Sequence, residues 1–443
     1  MKTRTLPDWL QRIEALHPSE IELGLERAAQ VYAALPEAEI PTVISVAGTN
    51  GKGSTVECLT RCAVASGLRV GTYTSPHLVR FNERMCLNGE PADNQKIVAA
   101  FETVEKARGD IPLTYFEYTT LASLALFRAE ALDFWVLEVG LGGRLDAVNI
   151  IDADVAIITS IGLDHQDWLG DNLEDIGREK AGIMRSGAFT VCSDPNPPES
   201  IGEQAKATGT RLLQLGRDFR YETDDQNWDY HLNLGVEDES TAGQLPAGQV
   251  VGAAADHSVG EIRESMVLPV GAVLANMTGA LTAMAMLKTL PTDQVLNAVF
   301  SSWSFRGRLQ RLELDVPWWL DVAHNAESAA LLAATLERSM RQESLRECYV
   351  VIGMLGDKPV DDVIKSLAPL ASQWLIVGLD SPRALTVDEL AEKVKQVSAS
   401  PVEQYQSVAA GLAIARARAQ AGSCIVVTGS FHTVGPALAW LGQ

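Results

Sequence analysis

From Thr42 onward the hydrophobic positions alternate between two patterns. Short continuous apolar runs, "TVISVAG", "LRVGTYTS", "DFWVLEVG" and "DVAIITSIG", are separated by segments with helical periodicity, such as "STVECLTRCAVASG", "NQKIVAAFETVEKA" and "YTTLASLALFRAEA". Apolar runs bounded by turn residues suit parallel strands buried on both faces, and Gly67 is a helix stop. The pattern predicts an α/β fold, a doubly wound, mainly parallel sheet. From about residue 217 to 266 the chain becomes polar, acidic and turn-rich, with hints of short antiparallel strands. A helix over 271–290 follows. Asn276, Thr278, Gly279 and Thr282 make it too polar and too short to span a membrane, so a buried helix is expected. A second α/β series then begins, with strands in "WWLDVAHN", "CYVVIGML", "QWLIVGLD" and "CIVVTGS" and helices in "AESAALLAATLERSM" and "TVDELAEKVKQV". The expected organisation is a large domain over 1–300 and a smaller Rossmann-like domain over 301–443.

Composition narrows the partners. The chain has 443 residues and a formal charge of −21, from 57 acidic and 36 basic residues. So acidic a surface argues against nucleic acid and anionic membranes. The six cysteines are dispersed; only Cys58 and Cys62 are close, on one helix face, and no paired CxxC units suggest zinc or a disulfide framework. Reduced thiols in a cytoplasm fit this usage, and "MKTRTLPDWLQRIEAL" lacks the apolar run of a signal peptide. A monomer is the simplest expectation.

The stretch "VAGTNGKGST" carries the first chemistry. A strand delivers it, Gly48, Gly51 and Gly53 free the backbone, Lys52 can reach the β- and γ-phosphates, and Ser54 or Thr55 opens a helix and can ligate Mg²⁺. Its spacing departs from the common GxxxxGK[ST] loop, with Ala47 at the first glycine and Gly53 between lysine and hydroxyl. A ligand-free glycine turn is the plain alternative. Three further residues occupy strand carboxyl ends, where a metal beside a phosphate loop finds its ligands: Ser75, Glu138 and His165. Singly they read as a helix N-cap, a solvated acid and a packed loop histidine; together they favour a metal site. Lys180 in "GREKAGI" would ordinarily be a solvated helix charge.

The motifs "VAGTNGKGST", "TSPHLVRFNER", "LTYFEYTTLASL", "LEVGLGGRLDAVN", "SIGLDHQDWLG", "IGREKAGI", "RGRLQ", "DVAHN" and "GSFHTVG" occur in family order. Together they resemble the bacterial bifunctional dihydrofolate synthase/folylpolyglutamate synthases, ATP-dependent amide ligases grouped with the Mur ligases. The resemblance covers nearly the whole length and weakens between 190 and 265. It implies that Thr49, Asn50, Gly51, Lys52, Gly53 and Ser54 form the ATP loop, and that Asn276, Arg308 and Asp321 also contact the nucleotide. Ser54, Ser75, Glu138 and His165 become magnesium positions, for two ions in all, and Lys180 matches a lysine that is carbamylated in the group. Glu22, Leu23 and Gly24, then Thr114, Tyr115, Phe116 and Glu117, then Leu145, Asp146 and Ala147 match the pocket for the pterin-bearing substrate. His324 and His432 are expected at strand ends of the second domain, placing glutamate or phosphate. Relatives often carry glycine at Val322 and some carry threonine at Ser54.

The implied reaction phosphorylates a carboxylate with ATP, and the amine of L-glutamate then displaces phosphate. The acceptors would be dihydropteroate and the glutamate tails of reduced folates. Lys52, Arg308, His165 and Lys180 are the expected catalytic groups, and closure of two domains is expected to exclude water. Two enzymes stay open as alternatives: a folylpolyglutamate synthase without the first activity, and a Mur-type peptidoglycan-precursor ligase. A nucleotide switch without ligase activity is the rival from another class.

Overall fold

The computed structural model describes residues 4–17, 22–224, 226–233, 261–269, 271 and 273–443. The chain divides into two compact units. The first comprises residues 1–76, 81–269 and 273–302; the second comprises 77–80, 270–272 and 303–443.

The first unit is built on eight strands: β1 (Thr42–Ala47), β2 (Val70–Tyr73), β3 (Met85–Leu87), β4 (Glu90–Pro91), β5 (Phe134–Glu138), β6 (Val155–Ile158), β7 (Phe189–Cys192) and β8 (Arg211–Gln214). Their order is β4-β3-β2-β5-β1-β6-β7-β8, parallel from β2 to β8, with β3 and β4 antiparallel at one edge. Strands β2, β5 and β6 are buried along their whole length, in keeping with their largely apolar sequence. Alternate residues feed different faces: Val43, Ala47, Trp135 and Leu137 join a core with Trp9, Phe101, Tyr118 and Phe127. Because β1 lies between β5 and β6, its carboxyl end is the place where the winding of the sheet reverses. That is where doubly wound sheets bind ligands.

Two short N-terminal helices, Leu6–Glu14 and Glu26–Ala33, pack on this unit and had no counterpart in the sequence reading. Trp9 lies 5.9 Å from Phe101, and Arg12 pairs with Glu105. The expected antiparallel segment is a three-stranded sheet, β9 (Phe219–Thr223), β10 (Asn227–Asn233) and β11 (Glu261–Val267), in the order β11-β10-β9. Residues 234–260 of that segment lie outside the described residues. The helix expected over 271–290 runs from Leu274 to Met286 and is buried nearly all round.

The second unit has six strands: β12 (Gln310–Glu313), β13 (Pro317–Asp321), β14 (Glu347–Ile352), β15 (Gln373–Val377), β16 (Val402–Tyr405) and β17 (Ser423–Thr428). The order is β12-β13-β17-β14-β15-β16, parallel except for the edge strand β12. Asp321 closes β13 opposite Thr428, at the carboxyl edge of this sheet.

Among the described residues, no helix is long and apolar enough to cross a membrane.

Candidate active site

The glycine loop leaves β1 and turns directly into the helix Lys52–Ala65. Here the structure corrects the sequence reading. The helix opens at Lys52 rather than at Ser54 or Thr55, so Gly53 lies inside its first turn and is not a flexible loop residue. The reason is Gly51. Its φ of 88° is the left-handed conformation that ends the loop, and a Cβ there would stand 2.3 Å from the Asn276 amide nitrogen. No side chain caps this helix, so its first amides point out of the turn as a ready anion site.

Neighbouring strand ends hold the loop from outside. The Thr49 amide donates to the Ser160 carbonyl (2.7 Å), and Thr159 Oγ1 donates to the Asn50 carbonyl (2.6 Å). Thr49 Oγ1 donates to the Gly162 carbonyl (3.1 Å). Lys52 Nζ folds back onto the carbonyls of Gly48 (2.8 Å) and Thr49 (3.2 Å). Sequence reading missed Thr159 and Ser160; the polar pair closing "VAIITS" was their only signal.

Glu138 ends β5 beside Val46 of β1, and only 5% of it is exposed. Its Oε2 accepts the Ser75 amide at 3.2 Å, which brings Ser75 and Glu138 together. Ser75 is followed by a cis peptide to Pro76, and no helix begins there, so the N-cap alternative fails. Among the described residues, no three or more His, Cys, Asp or Glu side chains cluster as a metal cage. One buried carboxylate with serine hydroxyls beside a phosphate loop is a hard-oxygen set. It fits Mg²⁺ or Mn²⁺, which take one or two carboxylates and complete their shell with substrate phosphate and water.

His165 stands on the loop after β6, with backbone in the left-handed region (φ 51°) at the start of the short helix Gln166–Leu169. Its ring is 44% exposed and lies 3.9 Å from the Asp164 carboxylate. Lys180 ends the helix Leu173–Lys180 and is only 3% exposed, which overturns its reading as a solvated charge. Burial lowers its pKa to about 7; the positive charge of Lys52 adds to this, and Asp164 opposes it. The loop after β5 lies against this end of the helix: the Arg144 amide donates to the Glu179 carbonyl (2.9 Å), and Gly143 packs against the Lys180 backbone.

The three stretches expected to hold the pterin-bearing substrate are brought together. The Gly24 amide reaches the Leu145 carbonyl (3.4 Å). Thr114 and Glu117 form a reciprocal capping box at the start of the helix Tyr115–Arg128. Phe116 lies against Gly140, where a Cβ would be 2.4 Å from its ring, and 6.1 Å from the Tyr73 ring. Asp146 is buried and accepts the amides of Gly140 (3.0 Å), Leu141 (2.8 Å) and Val148 (2.9 Å). Burial lifts its pKa to about 6, against those amides and the Lys52 charge.

In the second unit, Arg308 lies over the Phe431 ring (4.7 Å). Asp321 is buried and accepts the Leu309 (2.6 Å) and Ala323 (2.7 Å) amides; burial lifts its pKa to about 6, against the Arg308 charge. His324 follows β13, with Nδ1 2.8 Å from the Val322 carbonyl, whereas His432 is an exposed residue of the helix Phe431–Leu441 and not a strand-end group.

Residues 46–244 match the Mur ligase middle domain, and residues 307–431 match the Mur ligase glutamate ligase domain. The chain is 38% identical to the Escherichia coli dihydrofolate synthase/folylpolyglutamate synthase, across 97% of this chain and 94% of that one. The chain belongs to this family. The Haemophilus influenzae member is 34% identical, over 98% and 96% of the two chains. Among solved structures, E. coli FolC in complex with DHPP and ADP superposes with a TM-score of 0.87 at 37% identity, covering 99% of this chain and 98% of that one. The bifunctional family member from Yersinia pestis, complexed with AMPPNP and Mn ion, gives 0.84 at 37% identity, covering 100% and 99%. Membership in this family of ATP-dependent ligases sets aside the Mur-type and switch alternatives.

Proposed function

We propose that this protein uses ATP to join L-glutamate to 7,8-dihydropteroate and to the glutamate tails of reduced folates, the two activities for which its relatives are named. The observation that carries the reading is the assembly in one unit of a phosphate loop, a hard-oxygen pair (Glu138, Ser75) and the three stretches joined around Phe116 and Asp146.

A carboxylate accepts an amine at neutral pH only after one oxygen becomes a leaving group. In this reading the acceptor carboxylate attacks the γ-phosphorus, ADP leaves, the glutamate amine attacks the acyl carbon, and phosphate departs with the former carboxylate oxygen. The Thr49–Ser54 loop, through the amides where its helix opens, and the Lys52 ammonium bind the phosphates and meet the charge that develops there. Asn276, against Gly51, fixes the loop's outer wall. We assign Arg308 and Asp321 of the second unit to the nucleotide, and His324 to glutamate or phosphate.

Ser54, Ser75 and Glu138 would hold a divalent cation that neutralises phosphate charge. His165 and Lys180 are assigned to a second one. A lysine with a pKa near 7 presents an uncharged amine to CO₂ at neutral pH, so Lys180 is suited to carbamylation: the amine bonds to the carbon and releases one proton. The resulting anion would supply the negative charge that a second cation needs. The protein is proposed to work as a monomer in the cytoplasm on small molecules.

The test is ADP release by the purified protein with ATP, Mg²⁺, glutamate and either dihydropteroate or tetrahydrofolate. Release that requires both glutamate and acceptor, with a product one glutamyl residue heavier, is expected. Turnover indifferent to glutamate would refute the reading.

A further inference from the structure

The three proposed substrate stretches come from distant parts of the sequence, and one side chain ties two of them together. Arg27, near the start of the helix Glu26–Ala33, was not among the candidate residues. Its Nη2 donates to Glu117 Oε1 at 3.0 Å and its Nε approaches the same oxygen at 3.3 Å. Its Nη1 donates to Glu22 Oε1, and its Nη2 also reaches the Glu22 carbonyl at 3.3 Å.

Both carboxylates have further duties. Glu117 is 3% exposed, and its Oε2 accepts the Thr114 amide (2.8 Å), which sets the turn carrying Tyr115 and Phe116. Glu22 heads the segment whose Gly24 amide bonds to Leu145. A buried carboxylate without a partner is costly, and Arg27 is the cation paired with Glu117 while it caps this turn. The planar guanidinium fork also fixes the spacing of the two acids, which a flexible ammonium would not.

We infer that Arg27 is a positioning residue for the pteridine-acid substrate: by bridging Glu22 and Glu117 it holds the Glu22–Gly24 segment and the Phe116 ring at the separation a flat heterocycle requires. This rests on the function proposed above. Arg27 contacts neither nucleotide nor reacting atoms in this account. Its loss therefore acts on acceptor binding and spares the chemistry of phosphoryl transfer.

The experiment compares wild type with Arg27→Ala, Arg27→Lys and Glu22→Gln. The last weakens the more exposed half of the bridge, together with the contact of Glu22 to His17 (3.1 Å), and leaves the buried Arg27–Glu117 pair intact, so it remains informative if Arg27→Ala folds poorly. KM for dihydropteroate should rise on the order of ten-fold in Arg27→Ala, nearly as much in Arg27→Lys and less in Glu22→Gln. In the two Arg27 variants the KM values for ATP and glutamate, and kcat at saturating dihydropteroate, should stay within about two-fold of wild type. An unchanged dihydropteroate KM in both Arg27→Ala and Glu22→Gln would overturn the inference. So would equal losses toward all three substrates, or full rescue by lysine. A wild-type protein that ligates glutamate to no pteridine acid would instead overturn the proposed function, so the two failures are told apart.

Discussion

Replacing Lys180 by methionine should make the protein more stable and inactive at once. The lysine is buried, and its pKa is pulled from 10.5 to about 7. Because the folded pKa is depressed, the stabilising condition lies above the unfolded value of 10.5 and is lost as pH falls toward 7. Across that window the unfolded chain binds a proton that the folded chain does not. At pH 7 the penalty is roughly 4 kcal/mol, and at pH 9 it is roughly 2 kcal/mol, as an order of magnitude. Methionine has similar length and no charge to desolvate. Urea titrations in CO₂-depleted, metal-free buffer should therefore show the variant more stable than wild type at pH 7. The gap should shrink by about 2 kcal/mol on going to pH 9. Bicarbonate should raise wild-type ligase activity and leave the variant inactive. A variant that is less stable than wild type at pH 7, or a gap that does not change between pH 7 and 9, would refute the argument that burial pulls the Lys180 pKa down to about 7.

Other consequences follow from the same geometry. Lys52→Ala and Glu138→Gln should each lower glutamate-dependent ADP release by about 10²–10³-fold, with melting temperatures near wild type; full activity in either would remove that residue from the site. Chelation with EDTA should abolish activity, and Mn²⁺ should restore it as Mg²⁺ does, because the donor set is hard oxygen. Restoration by Zn²⁺ alone would contradict that donor set.

Much of the fold was legible because its strands announce themselves. "FWVLE" and "VAII" are continuous apolar runs that only a doubly covered strand needs, and Glu138 at the end of one is conspicuous for being charged. The short strands β12 and β16 were not legible: "QRLE" and "VEQY" are edge strands with mixed exposure and too few residues to show a period. The helix Leu6–Glu14 spans little more than two turns, and its buried Leu6, Trp9 and Ile13 make too short a stripe to stand out. At the site, residue types carried by the loop and strand ends could be read directly. The burial of Lys180 and the bridging of Arg27 could not. Each sits against chain far away in sequence, Gly143 and Arg144 at the end of the Lys180 helix and Glu117 for Arg27, and local pattern holds no trace of such pairings. The helix start at Lys52 was missed for a different reason: a left-handed Gly51 ends the loop two or three residues earlier than the hydroxyls of Ser54 and Thr55 suggest.

The central claim is that ATP activates the acceptor's own carboxylate. Dihydropteroate carrying ¹⁸O in both carboxylate oxygens, turned over with ATP and glutamate, tests it directly by mass analysis of the phosphate released. The account predicts one ¹⁸O in each phosphate ion formed. Unlabelled phosphate accompanying stoichiometric ligation would contradict it.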